Sequence, residues 1–160
     1  TDPPGYGCML RQYGLKTLSE QWDKPGSSLN HCMFGHIQEW FQSDLLGIRQ
    51  AEGSTGFERL RIAPTPVGDL REASGHYDSP HGRIAVAWKK TGVVFHLDVT
   101  VPGNTTAEVL LPAAEKTIVT EGGQSINETR GIREKARTGN EILLEVGSGR
   151  YEFKTEPGGV

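Results

Sequence analysis

The sequence predicts an α+β chain in which a short helical segment is followed by an antiparallel β-sandwich. Three observations carry this expectation. Before Gly53-Ser54-Thr55-Gly56 the apolar residues recur at three- and four-residue spacing, and after it they alternate. The 21 glycines fall mostly between short apolar runs, the pattern of strands joined by turns. No helical run interrupts the second region, and many short strands at regular spacing suggest a sandwich or barrel.

A chain of 160 residues is one domain, or one domain plus an appendage. At that size a domain hides roughly 70% of the surface its unfolded chain exposes, so a real core can form. The net charge of −3 is close to neutral and no basic stripe is visible, so nucleic-acid binding has no electrostatic footprint. No apolar run approaches the roughly 20 residues needed to span a bilayer, and no signal-peptide pattern is present. The chain starts at Thr1 without an initiating Met. The true amino terminus is therefore expected to be missing, and the compartment (periplasmic, extracellular or cytoplasmic) stays open. Two cysteines, Cys8 and Cys32, make no disulfide framework and are expected to be buried thiols.

Taken in order, Gly5 to Tyr13 reads as a short helix with Cys8, Met9 and Tyr13 near one face, ended by Gly14. A loop follows over Thr17 to Asp23, then a turn at Pro25-Gly26. Met33, Phe34, Ile37, Trp40, Phe41, Leu45 and Ile48 make one wide apolar stripe and predict a second helix, with Ser27, Ser28 or Asn30 to cap its start. An apolar stripe containing two aromatics must be covered. The short first helix cannot do this alone, so the cover must come from the β region or from helices outside this chain. The helical domain is placed at 1–52 and the sandwich at 57–160.

Strands are expected at Phe57–Ala63, Arg83–Trp88, Val93–Val101, Thr106–Leu111, Lys116–Thr120, Ile132–Thr138, Glu141–Val146 and Arg150–Lys154. The breaks between them are Thr91-Gly92, Pro102-Gly103-Asn104, Gly139-Asn140 and Gly147-Ser148-Gly149. Trp88, Phe95, Leu97, Val99, Val109 and Leu111 are the core candidates. His76 and His81 are placed in a loop around Tyr77 to Pro80; a metal site would need more ligands at tighter spacing, so no metal and no cofactor is assigned.

The residues then point to a family. Gly5-Tyr6-Gly7-Cys8-Met9-Leu10, Thr17-Leu18-Ser19-Glu20-Gln21-Trp22-Asp23, Ser28-Leu29-Asn30-His31-Cys32-Met33-Phe34-Gly35, Glu39-Trp40-Phe41 and Gly47-Ile48 resemble the end of the catalytic domain of bacterial α-L-rhamnosidases, glycoside hydrolase family 78. Gly56-Phe57, Ile62-Ala63-Pro64, Tyr77-Asp78-Ser79-Pro80, Gly82-Arg83-Ile84, Trp88 and Val101 to Ala107 resemble that family's carboxy-terminal β-sandwich. The resemblance covers most of residues 5 to 112.

The resemblance implies that the helical segment is the end of an (α/α)6 toroid. It also implies an inverting hydrolysis that releases terminal L-rhamnose from the non-reducing end of glycosides, with two carboxyl groups on opposite faces of the sugar. The family's general base carries over to Glu20 and its pocket histidine to His31, while the general acid belongs to an upstream segment absent from this chain. Ser19 and Gln21 depart from the family's usual Trp and Arg.

From the residues alone, Glu20 is a loop carboxylate, and the common state of such a group is a solvated surface. His31 near a helix start could be a hydrogen-bonded structural histidine. Trp22 could stack on a sugar ring or pack the loop, and Trp40, by its period, belongs to the core. The partners implied are a rhamnosyl glycoside, the remainder of the catalytic barrel and a homodimer formed through the helical arm, with no nucleic acid and no membrane. The sandwich could bind carbohydrate or only buttress the barrel. A stacking platform of exposed aromatics is lacking, because Trp88 has an inward pattern and Tyr77 and Tyr151 are the only tyrosines after Gly56, so buttressing is expected.

Overall fold

The structure, a computed structural model, describes residues 5–22 and 28–158. The turn expected at Pro25-Gly26, together with Asp23 and Ser27, lies outside the described residues. The chain divides into two compact units, Thr1–Trp40 and Phe41–Val160.

In the first unit a helical turn spans Cys8–Gln12, with Cys8 and Met9 buried, and Gly14 follows at φ +61°. The positive φ is free of strain only for glycine, and the turn ends there. The second helix begins as a tight turn over Cys32–His36 and continues as Ile37–Trp40. Its N-cap is His31, without a side-chain cap bond, rather than one of the expected serines or Asn30. Cys8 is a buried free thiol as expected, but Cys32 is exposed, because it starts the helix on the side away from buried Phe34. Leu10, Leu29 and Met33 are about half exposed in this unit.

The second unit opens with a helical turn over Phe41–Leu45 and then becomes a sandwich. The expected helical stripe thus loses its last member: Ile48 lies in strand β1, Ile48–Gln50, and is buried there. Gly47, at φ +70°, makes the break, and a Cβ at this position would overlap the backbone of Ala63 and Pro64.

The remaining strands are β2 (Arg59–Ile62), β3 (Glu72–Ser79), β4 (Gly82–Thr91), β5 (Val94–Val101), β6 (Thr106–Pro112), β7 (Thr117–Glu121), β8 (Gln124–Ser125), β9 (Ile132–Thr138), β10 (Glu141–Val146) and β11 (Gly149–Pro157). They form a five-stranded sheet in the order β1-β2-β6-β10-β9 and a six-stranded sheet in the order β3-β4-β5-β11-β7-β8. Every pairing is antiparallel except β2 with β6. A parallel pair needs a long crossover, and here the whole β3-β4-β5 meander supplies it.

The core lies between the sheets and is built by alternation. Ile84, Val86 and Trp88 of β4, Phe95, Leu97, Val99 and Val101 of β5, Ala107, Val109 and Leu111 of β6, and Ile142, Leu144 and Val146 of β10 are all buried. The six expected core residues are among them. Each large side chain so buried contributes about 1.5–3 kcal/mol relative to exposure.

Two strand expectations are corrected. β2 starts two residues later than expected, because Gly56 and Phe57 both adopt positive φ and form a turn, closed by the Glu58 N–H to the Thr55 carbonyl. Phe57 holds this uncommon conformation with its ring 4.6 Å from that of Tyr77. The segment holding His76 and Tyr77 to Ser79 is strand β3 rather than a loop, and the turn is confined to Pro80-His81. Its inward positions are Ala73 and Gly75, small because the Leu46 side chain occupies the space over Gly75.

Candidate active-site segment

Within the first unit, three hydrogen bonds hold Thr17–Trp22 beside Ser28–His31. The Thr17 hydroxyl donates to the Leu29 carbonyl at 2.6 Å. The Glu20 N–H donates to the Ser28 carbonyl and the His31 N–H to the Leu18 carbonyl, both at 3.0 Å. Neighbouring backbone segments thus carry Glu20 and His31. Glu20 is exposed and His31 is half-buried. The Glu20 backbone N–H is thus hydrogen-bonded while its side chain is exposed among the described residues.

Ser19, one residue earlier, is fully buried. Its N–H faces the Met9 sulfur at 3.4 Å and its hydroxyl accepts the Gln21 N–H at 3.4 Å. Ser19 is thus turned inward and Glu20 outward. Trp22 packs rather than standing free: its ring lies 3.8 Å from Phe34 and meets Tyr6 edge-on at 4.8 Å. The Tyr6 hydroxyl donates to the Phe34 carbonyl at 2.6 Å and ties the cluster to the second helix. Aromatic pairs of this kind add about 0.5–1.5 kcal/mol each beyond their buried area. The structure therefore brings the Glu20 and His31 segments together and puts Trp22 in the packing beside them. Sequence reasoning missed Tyr6 and Phe34 as the support of this loop, since no local signal joins residues 28 positions apart.

Among the described residues, no group of three or more His, Cys, Asp or Glu is placed to hold a metal ion. No described helix is long and apolar enough to cross a membrane.

The second unit is a two-sheet β-sandwich domain, and comparisons with known proteins say which domain family it resembles. Residues 47–125 match the family described as bacterial alpha-L-rhamnosidase C-terminal domain. An alpha-L-rhamnosidase of Streptomyces avermitilis is 32% identical over 160 residues, spanning 94% of this chain and 14% of that protein. One from Formosa agariphila is 27% identical, over 89% of this chain and 16% of its own length. Among solved structures, an alpha-L-rhamnosidase from Dictyoglumus thermophilum superposes with a TM-score of 0.78 at 32% identity, over 98% of this chain and 18% of that one. The Streptomyces avermitilis enzyme complexed with L-rhamnose gives 0.79 at 28% identity, over 97% of this chain and 15% of that one. The chain thus carries a bacterial alpha-L-rhamnosidase C-terminal domain over residues 47–125, and it spans less than a fifth of the length of these relatives.

Proposed function

We propose that this chain serves as the carboxy-terminal part of an inverting α-L-rhamnosidase and contributes the general base, Glu20, to the hydrolysis of terminal α-L-rhamnosides. The observation that carries the reading is the backbone pairing of the Glu20 and His31 segments, with the Glu20 side chain exposed beside a packed aromatic support. In an inverting reaction the base takes a proton from water as its oxygen attacks the anomeric carbon, while an acid on the opposite face protonates the departing oxygen. Glu20 fits the first role, His31 would contact sugar hydroxyls, and Trp22 would hold the loop. The acid lies upstream, in the remainder of the catalytic barrel.

The test is Glu20→Gln in the full-length parent. The amide keeps the shape but cannot accept the proton, so turnover of an aryl α-L-rhamnoside should fall by about 10²–10⁴-fold or more with the fold intact. A near wild-type rate would remove Glu20 from this role. The 160-residue chain alone should show no turnover, since it lacks the acid.

A further inference from the structure

The outer faces of both sheets carry charged residues, and they differ in how many of these are paired. On the five-stranded sheet the charges are satisfied internally: Glu108 pairs with Arg61 and Lys135, and Glu145 with Arg133 and Lys135. The six-stranded sheet pairs some of its charges, Asp78 with Arg83 and His76, Glu72 with Lys89 and Lys154 with Glu156, and leaves others unpaired. Its outer face carries a groove of about 460 Å³, over β3, β4, β5 and β11.

Strand register explains the groove. One row across the four strands reads His76, Ala85, Thr100, Arg150, and the next reads Ser74, Ala87, Asp98, Glu152. Ala85 and Ala87 make a low apolar floor, and the taller residues stand around it. Asp98 and Glu152 face each other directly across β5 and β11. Like charges at such a cross-strand position destabilise a sheet. Neither carboxylate has a side-chain hydrogen bond or ion pair among the described residues, and Arg150 in the adjoining row has none either.

We propose that this groove is a binding site for a neutral pyranoside. The lining mixes acceptors (Asp98, Glu152) with donors (Arg150, His76) and hydroxyls (Ser74, Thr100). A simple anion would confront the carboxylates and a simple cation the guanidinium. A sugar hydroxyl both donates and accepts, so vicinal hydroxyls satisfy both kinds of group, and the C–H face of the ring rests on the two alanine methyls. The volume lies within the range of small-ligand sites. All of these lining residues belong to the second compact unit, and Glu20 belongs to the first.

The test is an NMR titration of the ¹⁵N-labelled 160-residue chain with methyl α-L-rhamnopyranoside and methyl α-D-glucopyranoside. The expected result is saturable shifts of amides at 74–76, 85–87, 98–100 and 150–152, unchanged in Glu20→Gln. Asp98→Ala with Glu152→Ala should weaken binding by at least about tenfold through loss of charged acceptors. That variant should unfold no earlier than the parent sequence, because a like-charge pair is removed. Ala87→Phe, which fills the groove from the solvent side, should also abolish the shifts without lowering stability much. No shift in the groove with either pyranoside overturns the proposal. So does a response of the same amides to sodium sulfate or calcium chloride alone, which would mark an ion site. Loss of parent activity in Glu20→Gln bears only on the reading of that residue.

Discussion

The Trp88 indole N–H donates to the Leu45 carbonyl at 2.8 Å, joining the centre of β4 to the end of the helical turn that opens the second unit. Trp88 is only 2% exposed. The bond satisfies one of the carbonyls that a helix end leaves without a partner, and it does so at a buried site where an orphan would be costly. It also gives a physical reason for Trp at this core position: its ring fills a large apolar space and still carries a donor for the Leu45 carbonyl.

Trp88→Phe removes that donor and leaves a gap. The Leu45 carbonyl loses its partner and the lost ring volume forms a cavity, for a combined cost of roughly 2–4 kcal/mol. Urea denaturation of the two proteins measures it. A loss under about 0.5 kcal/mol would show that water replaces the indole without penalty.

Gly47 and Gly92 form a matched pair for testing close approach. Both have positive φ, +70° and +61°, but a side chain at Gly92 meets open space while one at Gly47 runs into the backbone of Ala63 and Pro64. Alanine at Gly92 should cost about 1–2 kcal/mol from conformation alone. Alanine at Gly47 adds overlap and should cost about 3 kcal/mol or more. Equal losses in thermal or chemical unfolding would mean that the Gly47 strand moves aside freely.

Acid should destabilise the sandwich through two carboxylates. The hydrogen bond from Arg83 holds Asp78 below its usual value, and Arg133, then Lys135, do the same for Glu145. A carboxylate with a lowered folded-state pKa contributes stability that is present above its unfolded value, about 4. That contribution is lost as pH falls through the lower folded value. The acid limb of a stability–pH curve should therefore start near pH 5 and become shallower in Asp78→Asn and Glu145→Gln. Because these groups are at the surface, about 1 M salt should flatten the same limb. An acid limb unchanged in both variants would assign it to other carboxylates.

Alternation alone was enough to locate β4, β5, β6, β9 and β10, to name Trp88, Phe95, Leu97, Val99, Val109 and Leu111 as core, and to separate a helical start from a β-rich remainder. It could do so because local period reports which side of an element faces an apolar interior. Other features depended on residues far away along the chain. β3 was hidden because Leu46 fills the space that its inward side chains would otherwise occupy, so Ala73 and Gly75 carry no apolar signal. Ile48 fitted a helical stripe, but Gly47 against Ala63 and pairing with Ile62 made it a strand. In the candidate segment, motif order singled out Glu20 and His31, whereas the backbone hydrogen bonds that join their segments and the Tyr6–Trp22–Phe34 packing had no local signal. The groove over Ala85 and Ala87 exists only through the register of four strands, since neighbours across a sheet are set by pairing and not by proximity in sequence.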